Sequence, residues 1–124
     1  MKRKYNILII DRSQIIEHRI KMLLSEHENV GSVYTASNYA TATSTLRCIE
    51  PDVILLAANL RDGESIKILK WITTRKSSQR LIITMSNKMI TAESDIAMKQ
   101  LGADYCIDIF DDYEAIGRII SSLN

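Results

Sequence analysis

The feature that most constrains the fold of this chain is a set of short apolar runs that contain no polar alternation. The runs ILII, VILLA and LII are the clearest of them. In a sheet with one face in water, every second side chain would be polar. Continuous apolar runs therefore predict strands that are buried on both faces. Helices must then cover both sides of the sheet.

Segments with a helical period separate these runs. In the first segment, Ile16, Ile20, Leu23 and Leu24 recur at the spacing of one helix face, and Ser13 precedes them as a capping residue. Each apolar run is followed by one segment with a helical period, so the chain contains five β–α units. The sequence therefore predicts an α/β fold of the flavodoxin-like (βα)5 type, a doubly wound parallel sheet with strand order 2-1-3-4-5.

The later helices carry three more specific predictions. In the third helix, Ile66, Leu69 and Ile72 should face the core, with Ile68 as a further candidate. In the fourth helix, Thr91 should act as the cap and Gly102 should end the helix in the left-handed conformation.

Length and composition exclude several classes of function. The 124 residues predict a single domain over residues 1–124. A net charge of +1 gives no field that would attract nucleic acid or an anionic membrane. No apolar run approaches the roughly 20 residues of a membrane span, and no signal peptide is apparent. We therefore expect a cytoplasmic protein that binds neither nucleic acid nor membrane, with Cys48 and Cys106 as reduced thiols.

The candidate site lies where the strands end, because ligands bind at the carboxyl edge of such sheets. No junction there carries a GxGxxG or GxxxxGK[ST] motif, so dinucleotide and P-loop sites are not expected. The residues at the strand ends are, in chain order, Asp11, Arg12, Ala57, Ala58, Asn59, Ser86, Asn87, Asp108, Ile109 and Phe110.

Five fragments in order carry a resemblance to a known family. ILIID, PDVILL, NLRDG, LIITMSN and LGADYCID resemble the receiver domains of two-component response regulators of the chemotaxis-regulator kind, over residues 5–123. In that family, a histidine kinase phosphorylates an Asp at the end of the third strand. Acidic residues after the first strand and a backbone carbonyl bind Mg²⁺, and a hydroxyl and a Lys contact the phosphoryl group. Cations are needed because a carboxylate must attack a phosphorus surrounded by negative oxygens.

The resemblance places Ala57 in the phosphoacceptor slot, where a methyl group cannot act as a nucleophile. Asp11 matches the first acidic residue, and Arg12 stands in the second acidic slot with the opposite charge. Asn59 matches the residue that offers its backbone carbonyl, and Ser86 matches the hydroxyl. This pocket is therefore a degenerate version of the family's acidic metal pocket.

The last strand departs from the family pattern as well. Ile109 occupies the lysine slot, Phe110 replaces the Pro that commonly follows, and Cys106 falls in the slot of the aromatic switch residue. Together with Ala57 and Arg12, these departures predict an atypical pseudo-receiver that is not phosphorylated in this form. We expect no catalytic residue, no cofactor and, at most, poor binding of Mg²⁺.

Some alternatives stay open at this point. Arg12 is either an internal counter-ion that pairs with Asp11 or a solvated side chain at a helix start. The chain is alternatively an ordinary phosphoacceptor receiver in which Asp was mutated to Ala57. A small flavin- or nucleotide-binding enzyme of the same fold is a third possibility, but no phosphate-binding loop supports it.

The resemblance also implies partners. It implies a protein-interaction module in phosphorelay signal transduction, without enzymatic activity, whose partners include a histidine kinase or an output domain. The expected interaction face comprises the fourth helix, the fifth strand and the fifth helix, residues 91–123. That face also forms homodimers in many members of the family, so a homodimer is expected here.

Overall fold

The computed structural model describes residues 3–75, 80–86 and 92–123. The strands are β1 Tyr5–Ile10, β2 Val30–Ala36, β3 Val53–Ala57, β4 Leu81–Ser86 and β5 Tyr105–Asp108. The α-helices are α1 Gln14–Leu24, α2 Tyr39–Cys48, α3 Glu64–Thr73, α4 Ala92–Gln100 and α5 Ala115–Ser121. A single 3₁₀ turn, Arg61–Gly63, precedes α3.

The five strands form one parallel sheet with the order β2-β1-β3-β4-β5, which confirms the predicted topology. The register aligns the carboxyl ends of the inner strands. Ile10 pairs with Leu56, and Ala57 pairs with Met85. Each residue that follows a strand therefore lies along the same edge of the sheet.

The core lies on both faces of the sheet, as the apolar runs predict. Neighbouring residues of β1 point to opposite faces, and both Ile9 and Ile10 are fully buried. Ile9 packs in a cluster with residues of α1 and α5, among them Ile20 and Ile116. Ile10 packs in a second cluster with residues of α2 and α3, among them Leu46 and Leu69.

Three of the more specific predictions concern the residues at which helices begin or end. The Oγ of Ser13 accepts a hydrogen bond from the Ile16 N–H at 3.2 Å, which confirms the predicted cap of α1. Gly102 has a positive φ of 116°, as expected for a glycine stop, although this value lies beyond the left-handed helical region. The predicted cap Thr91 lies outside the described residues.

One residue of the predicted inward face of α3 was assigned wrongly, whereas Ile68, Leu69 and Ile72 face the core as predicted. Ile66 is 43% exposed and does not face the core. Because α3 begins at Glu64, its inward stripe consists of Ser65, Ile68, Leu69 and Ile72, at the spacing i, i+3, i+4 and i+7. The prediction failed because it did not include the small polar Ser65 in a buried stripe. Within the described part of the chain, no helix is both long enough and apolar enough to cross a membrane.

Candidate functional site

Asp11 is the carboxylate at the end of β1, beside the point where the direction of strand order reverses. Its backbone N–H donates to the carbonyl of Ala36 at 3.0 Å, which extends the pairing of β1 with β2 by one residue. Its side chain is buried and accepts a hydrogen bond from the Ser13 N–H at 2.8 Å. Burial raises the pKa of Asp11, and the hydrogen bonds from the backbone of Ser13 and Arg12 oppose part of that effect.

Arg12 does not neutralise this carboxylate by direct contact. Its side chain is exposed, and within residues 3–75, 80–86 and 92–123 it makes no salt bridge. Among the influences on the pKa of Asp11, the positive charge of Arg12 is the weakest. The geometry therefore matches the solvated alternative for Arg12 and not the internal counter-ion.

The side chain at position 57 is buried, and the backbone next to it is hydrogen-bonded. Ala57 is 1% exposed at the end of β3, and the N–H of Ala58 donates to the Met85 carbonyl at 2.7 Å. The hydroxyl of Ser65 donates to the Ala57 carbonyl at 2.7 Å and accepts from the Leu60 N–H at 3.0 Å. The Ser65 side chain thus stabilises the connection between β3 and α3 through two buried hydrogen bonds.

This role of Ser65 was not predicted from the sequence. The available signal was a serine three residues before Ile68 on the inward stripe of α3. A buried hydroxyl needs partners, and the chain that leaves β3 supplies a carbonyl and an N–H in reach. Asn59 lies in the exposed turn of the same connection, and Asp62 and Gly63 follow with φ values of 55° and 70°.

Ser86 and Cys106, which the resemblance places in the hydroxyl slot and the aromatic-switch slot, lie close together on β4 and β5. Ser86 pairs with Asp108, and its carbonyl accepts a hydrogen bond from the Ile109 N–H at 2.8 Å. Thr84 and Cys106 face each other two pairs earlier, with the Thr84 hydroxyl donating to the Cys106 Sγ at 3.1 Å. They line a cavity of about 220 Å³ together with Ser86. Thr84 was not among the site residues predicted from the sequence.

Cys106 is a half-buried thiol in this cavity. Burial raises the pKa of Cys106, and the hydrogen bond from Thr84 opposes part of that effect. A raised pKa keeps the side chain in the thiol form at neutral pH, and the thiol is a poor nucleophile. Cys106, which the resemblance places in the slot of the aromatic switch residue, is therefore a small side chain in the thiol form.

Ile109, which the resemblance places in the lysine slot, is part of the apolar core. Ile109 is buried in the cluster that contains Ile20 and Ile116. Phe110, the next residue, is exposed, while the Asp108 carboxylate accepts hydrogen bonds from the N–H groups of Phe110 at 2.9 Å and Asp111 at 3.0 Å. The side chain at position 109 thus supplies no cation to the edge of the sheet.

The strand pairings bring Asp11, Ala57, Ser86 and Ile109 to one edge of the sheet. Position 57 offers no nucleophile, and position 109 offers no positive charge. The donor set does not fit Mg²⁺ either, because a guanidinium follows the Asp11 carboxylate and Ala57 supplies no ligand. Within the described residues, no group of three His, Cys, Asp or Glu side chains is placed to hold a metal ion.

Comparison with known proteins agrees with the fold. Residues 7–108 match the model of the response regulator receiver domain family. The chain is 27% identical over 118 residues to the sensory transduction protein LytT of Enterococcus faecalis, covering 93% of this chain and 46% of that protein. It is 24% identical over 99 residues to a protein-glutamate methylesterase/protein-glutamine glutaminase of Saccharophagus degradans, covering 80% of this chain and 26% of that protein. The chain thus spans less than half the length of these two relatives.

A solved structure of similar shape is a receiver domain. The signal receiver domain of a DNA-binding response regulator from Colwellia psychrerythraea aligns with a TM-score of 0.84 at 19% identity, covering 95% of this chain and 96% of that one. This likeness establishes the fold, and the family model spans most of the sequence. The chain belongs to the response regulator receiver domain family of two-component signalling.

Proposed function

We propose that this receiver domain acts as a protein-interaction module that does not accept a phosphoryl group in this form. The observation that carries the proposal is Ala57, a buried methyl group at the end of β3 in the phosphoacceptor slot. Arg12 and Ile109 support it, because the positions around Ala57 supply neither the second acidic residue nor the lysine. The domain would then act by binding and not by catalysis, without a cofactor, in the cytoplasm.

The proposed binding surface for a partner comprises α4, β5 and α5. Ile96 on α4 and Tyr105 on β5 are large apolar side chains that this surface leaves exposed. Large apolar side chains exposed on one surface are typical of a protein-binding surface. A histidine kinase or an output domain is the proposed class of partner, and a homodimer through the same surface stays a prediction.

The proposal is tested by offering the protein a phosphoryl donor. The protein is incubated with acetyl phosphate, or with beryllofluoride, in the presence of Mg²⁺, and followed by intact mass and by amide NMR shifts. We expect no added phosphoryl group and no shifts at residues 11, 57 and 86. A phosphorylated product, or Mg²⁺-dependent binding of beryllofluoride, would contradict the proposal.

A matched variant shows whether the residue at position 57 alone, or the whole pocket, prevents phosphorylation. Ala57→Asp returns the carboxylate but leaves Arg12 and Ile109 in place. We expect this variant to remain unphosphorylated, because the charge of the phosphoryl group still meets no lysine. Efficient phosphorylation of Ala57→Asp would instead favour the alternative in which position 57 alone has been changed.

A further inference from the structure

A small cavity lies at the amino ends of β4 and β5, at the opposite edge of the sheet from the candidate site. Its walls are the end of α3, the start of β4 and the turn that leads into β5. The cavity has a volume of about 220 Å³. Binding sites for drug-sized ligands usually measure roughly 300–1,000 Å³, so this cavity suits a smaller molecule or ion.

Arg80 lines this cavity with a positive charge that has no partner. Its Nε and Nη1 are buried, and neither makes a hydrogen bond to any residue that the structure describes. Arg80 also makes no salt bridge within residues 3–75, 80–86 and 92–123. Buried N–H groups of a charged side chain are costly when they have no acceptor. The geometry therefore leaves two donors that a bound acceptor would satisfy.

A second arginine lines the same cavity. The guanidinium of Arg75 lies over the ring of Trp71, 3.5 Å from its centroid, which holds this charge in place. A guanidinium that stacks on a ring keeps its N–H groups available for hydrogen bonds, because they lie in its own plane. Arg75 makes no salt bridge in the described part of the chain. Two guanidinium groups beside one cavity favour an oxyanion as the ligand.

One carboxylate also lines the cavity and restricts which oxyanion fits. The Oδ2 of Asp104 accepts a hydrogen bond from the Ile82 N–H at 2.8 Å, and its Oδ1 has no hydrogen-bond partner among the described residues. Asp104 and Arg80 form no salt bridge with each other, although both line the cavity. A ligand between them must accept hydrogen bonds from Arg80 and donate one to Asp104, because an ionised carboxylate only accepts.

Inorganic phosphate meets both requirements. At neutral pH it keeps at least one proton, so one of its oxygens donates while the others accept. Sulfate has nearly the same shape but no proton, so its oxygens would face the Asp104 carboxylate without a hydrogen bond. The lining thus distinguishes two oxyanions of similar size through the charge of one side chain.

The backbone at Gly102 keeps the cavity open. Its φ is 116°, and a Cβ at this position would collide with the side chain of Thr73. Both residues line the cavity. A larger residue at position 102 would therefore displace one wall of the cavity.

From these contacts we propose that the cavity binds inorganic phosphate, with Arg75 and Arg80 as donors and Asp104 as the acceptor of the phosphate proton. The proposal goes beyond the proposed function, because this binding is noncovalent and lies at the edge of the sheet away from Ala57. Bound phosphate would join the end of α3 to the turn before β5 and stabilise that edge.

The test is an NMR titration of the full chain with inorganic phosphate at neutral pH and constant ionic strength. We expect saturable shifts of the backbone amides of Ile82, Gly102 and Asp104 and of the Arg80 Nε–H. Sulfate should bind at least about tenfold more weakly. A phosphate monoester, which mostly lacks the proton at about pH 7.5, should also bind more weakly than inorganic phosphate.

Three variants identify the groups that bind. Arg80→Gln should raise the dissociation constant for phosphate by about tenfold or more, because it removes a charged donor. Arg47→Gln changes the net charge equally at an exposed position of α2 and should leave binding unchanged. Asp104→Asn should bind sulfate about as tightly as phosphate, since the amide replaces the repelling charge and still accepts from Ile82. Circular dichroism checks that each variant is folded.

Several results would overturn the proposal. One is the absence of saturable binding up to about 20 mM phosphate, a concentration well above the dissociation constant of even a weak specific site. Others are equal loss of binding in Arg80→Gln and Arg47→Gln, equal binding of sulfate and phosphate by the wild type, or discrimination against sulfate that persists in Asp104→Asn. Phosphate-dependent shifts confined to residues 11, 57 and 86 would place the binding at the other edge of the sheet and would also overturn it.

Discussion

At the scale of single residues, Asp11 places a buried carboxylate at the carboxyl edge of the sheet. It is buried, and its direct partners are backbone N–H groups and not a cation. The folded protein therefore holds a proton on this group more tightly than the unfolded chain does. Between the unfolded pKa near 3.8 and the higher folded pKa of Asp11, the free energy of unfolding falls as the pH rises.

Because the charged Asp11 carboxylate lowers the free energy of unfolding, a prediction follows for Asp11→Asn. The amide oxygen can still accept the hydrogen bond from Ser13, but it carries no charge that burial disfavours. We expect the variant to have a higher free energy of unfolding than the wild type at pH 7, and the difference to vanish below about pH 4. Urea denaturation across a pH series measures both. Glu50→Gln, at an exposed position, serves as the control, and a variant that is less stable at pH 7 would contradict the prediction.

Two glycines with positive φ give a second prediction at this scale. A Cβ at Gly63 would meet no atom within 4 Å, whereas a Cβ at Gly102 would collide with the Thr73 side chain. We expect Gly63→Ala to lower the free energy of unfolding by about 1 kcal/mol, and Gly102→Ala by about 2–3 kcal/mol, because φ at 102 is strained and Thr73 must move. Equal effects of the two variants in urea denaturation would show that the contact with Thr73 is unimportant.

At the scale of elements, the connection from β3 to α3 keeps its shape without a phosphoacceptor. The Ser65 hydroxyl holds the Ala57 carbonyl and the Leu60 N–H from the first turn of α3. All three groups are buried, so water cannot replace the hydroxyl if it is lost. The loop that surrounds the candidate site is therefore stabilised by a structural hydrogen-bond pair and does not depend on a bound phosphoryl group or metal.

Ser65→Ala tests this arrangement. The substitution leaves a buried carbonyl and a buried N–H without their partner, and we expect it to lower the free energy of unfolding by about 2–3 kcal/mol. Ser44→Ala, at an exposed position of α2, is the matched control and should change stability by less than about 0.5 kcal/mol. A loss of the same small size for both variants, measured by urea denaturation, would show that the loop finds other hydrogen bonds.

At the scale of the whole molecule, the sheet divides the core into two layers of similar burial. Ile9 belongs to the layer under α1 and α5, and Ile10 belongs to the layer under α2 and α3. In a sheet with one wet face, one of two adjacent strand residues would lie in water. Here both are fully buried, because a parallel sheet requires helical crossovers that cover both faces.

We accordingly expect Ile9→Ala and Ile10→Ala to be about equally harmful. Each should lower the free energy of unfolding by about 2–5 kcal/mol, the usual range for truncation of a large core side chain. Thr35→Ala, at an exposed position of the edge strand β2, should have an effect below about 1 kcal/mol. A near-neutral result for either isoleucine variant would mean that one face of the sheet is not covered.

The sequence by itself determined the features that depend on local pattern. Continuous apolar runs and helical spacing were enough to predict five β–α units and their sheet order, and the residue types at the strand ends carried the resemblance to receiver domains. Periodicity is local, because it follows from the geometry of each element. In α3 the buried stripe includes a polar residue that a purely apolar pattern does not show. Ile66 was therefore assigned to the inward face, although it is exposed.

Only the tertiary structure decided which side chains are buried together and which charges stay unpaired. Ser65 reaches back eight residues to the carbonyl of Ala57, and Thr84 meets Cys106 across 22 residues of sequence. The exposure of Arg12, and the position of the Arg19 guanidinium over the Tyr113 ring, likewise depend on where neighbouring elements pack. Burial and ion pairing depend on distances between separate elements, and these distances are fixed only when the helices pack on the sheet.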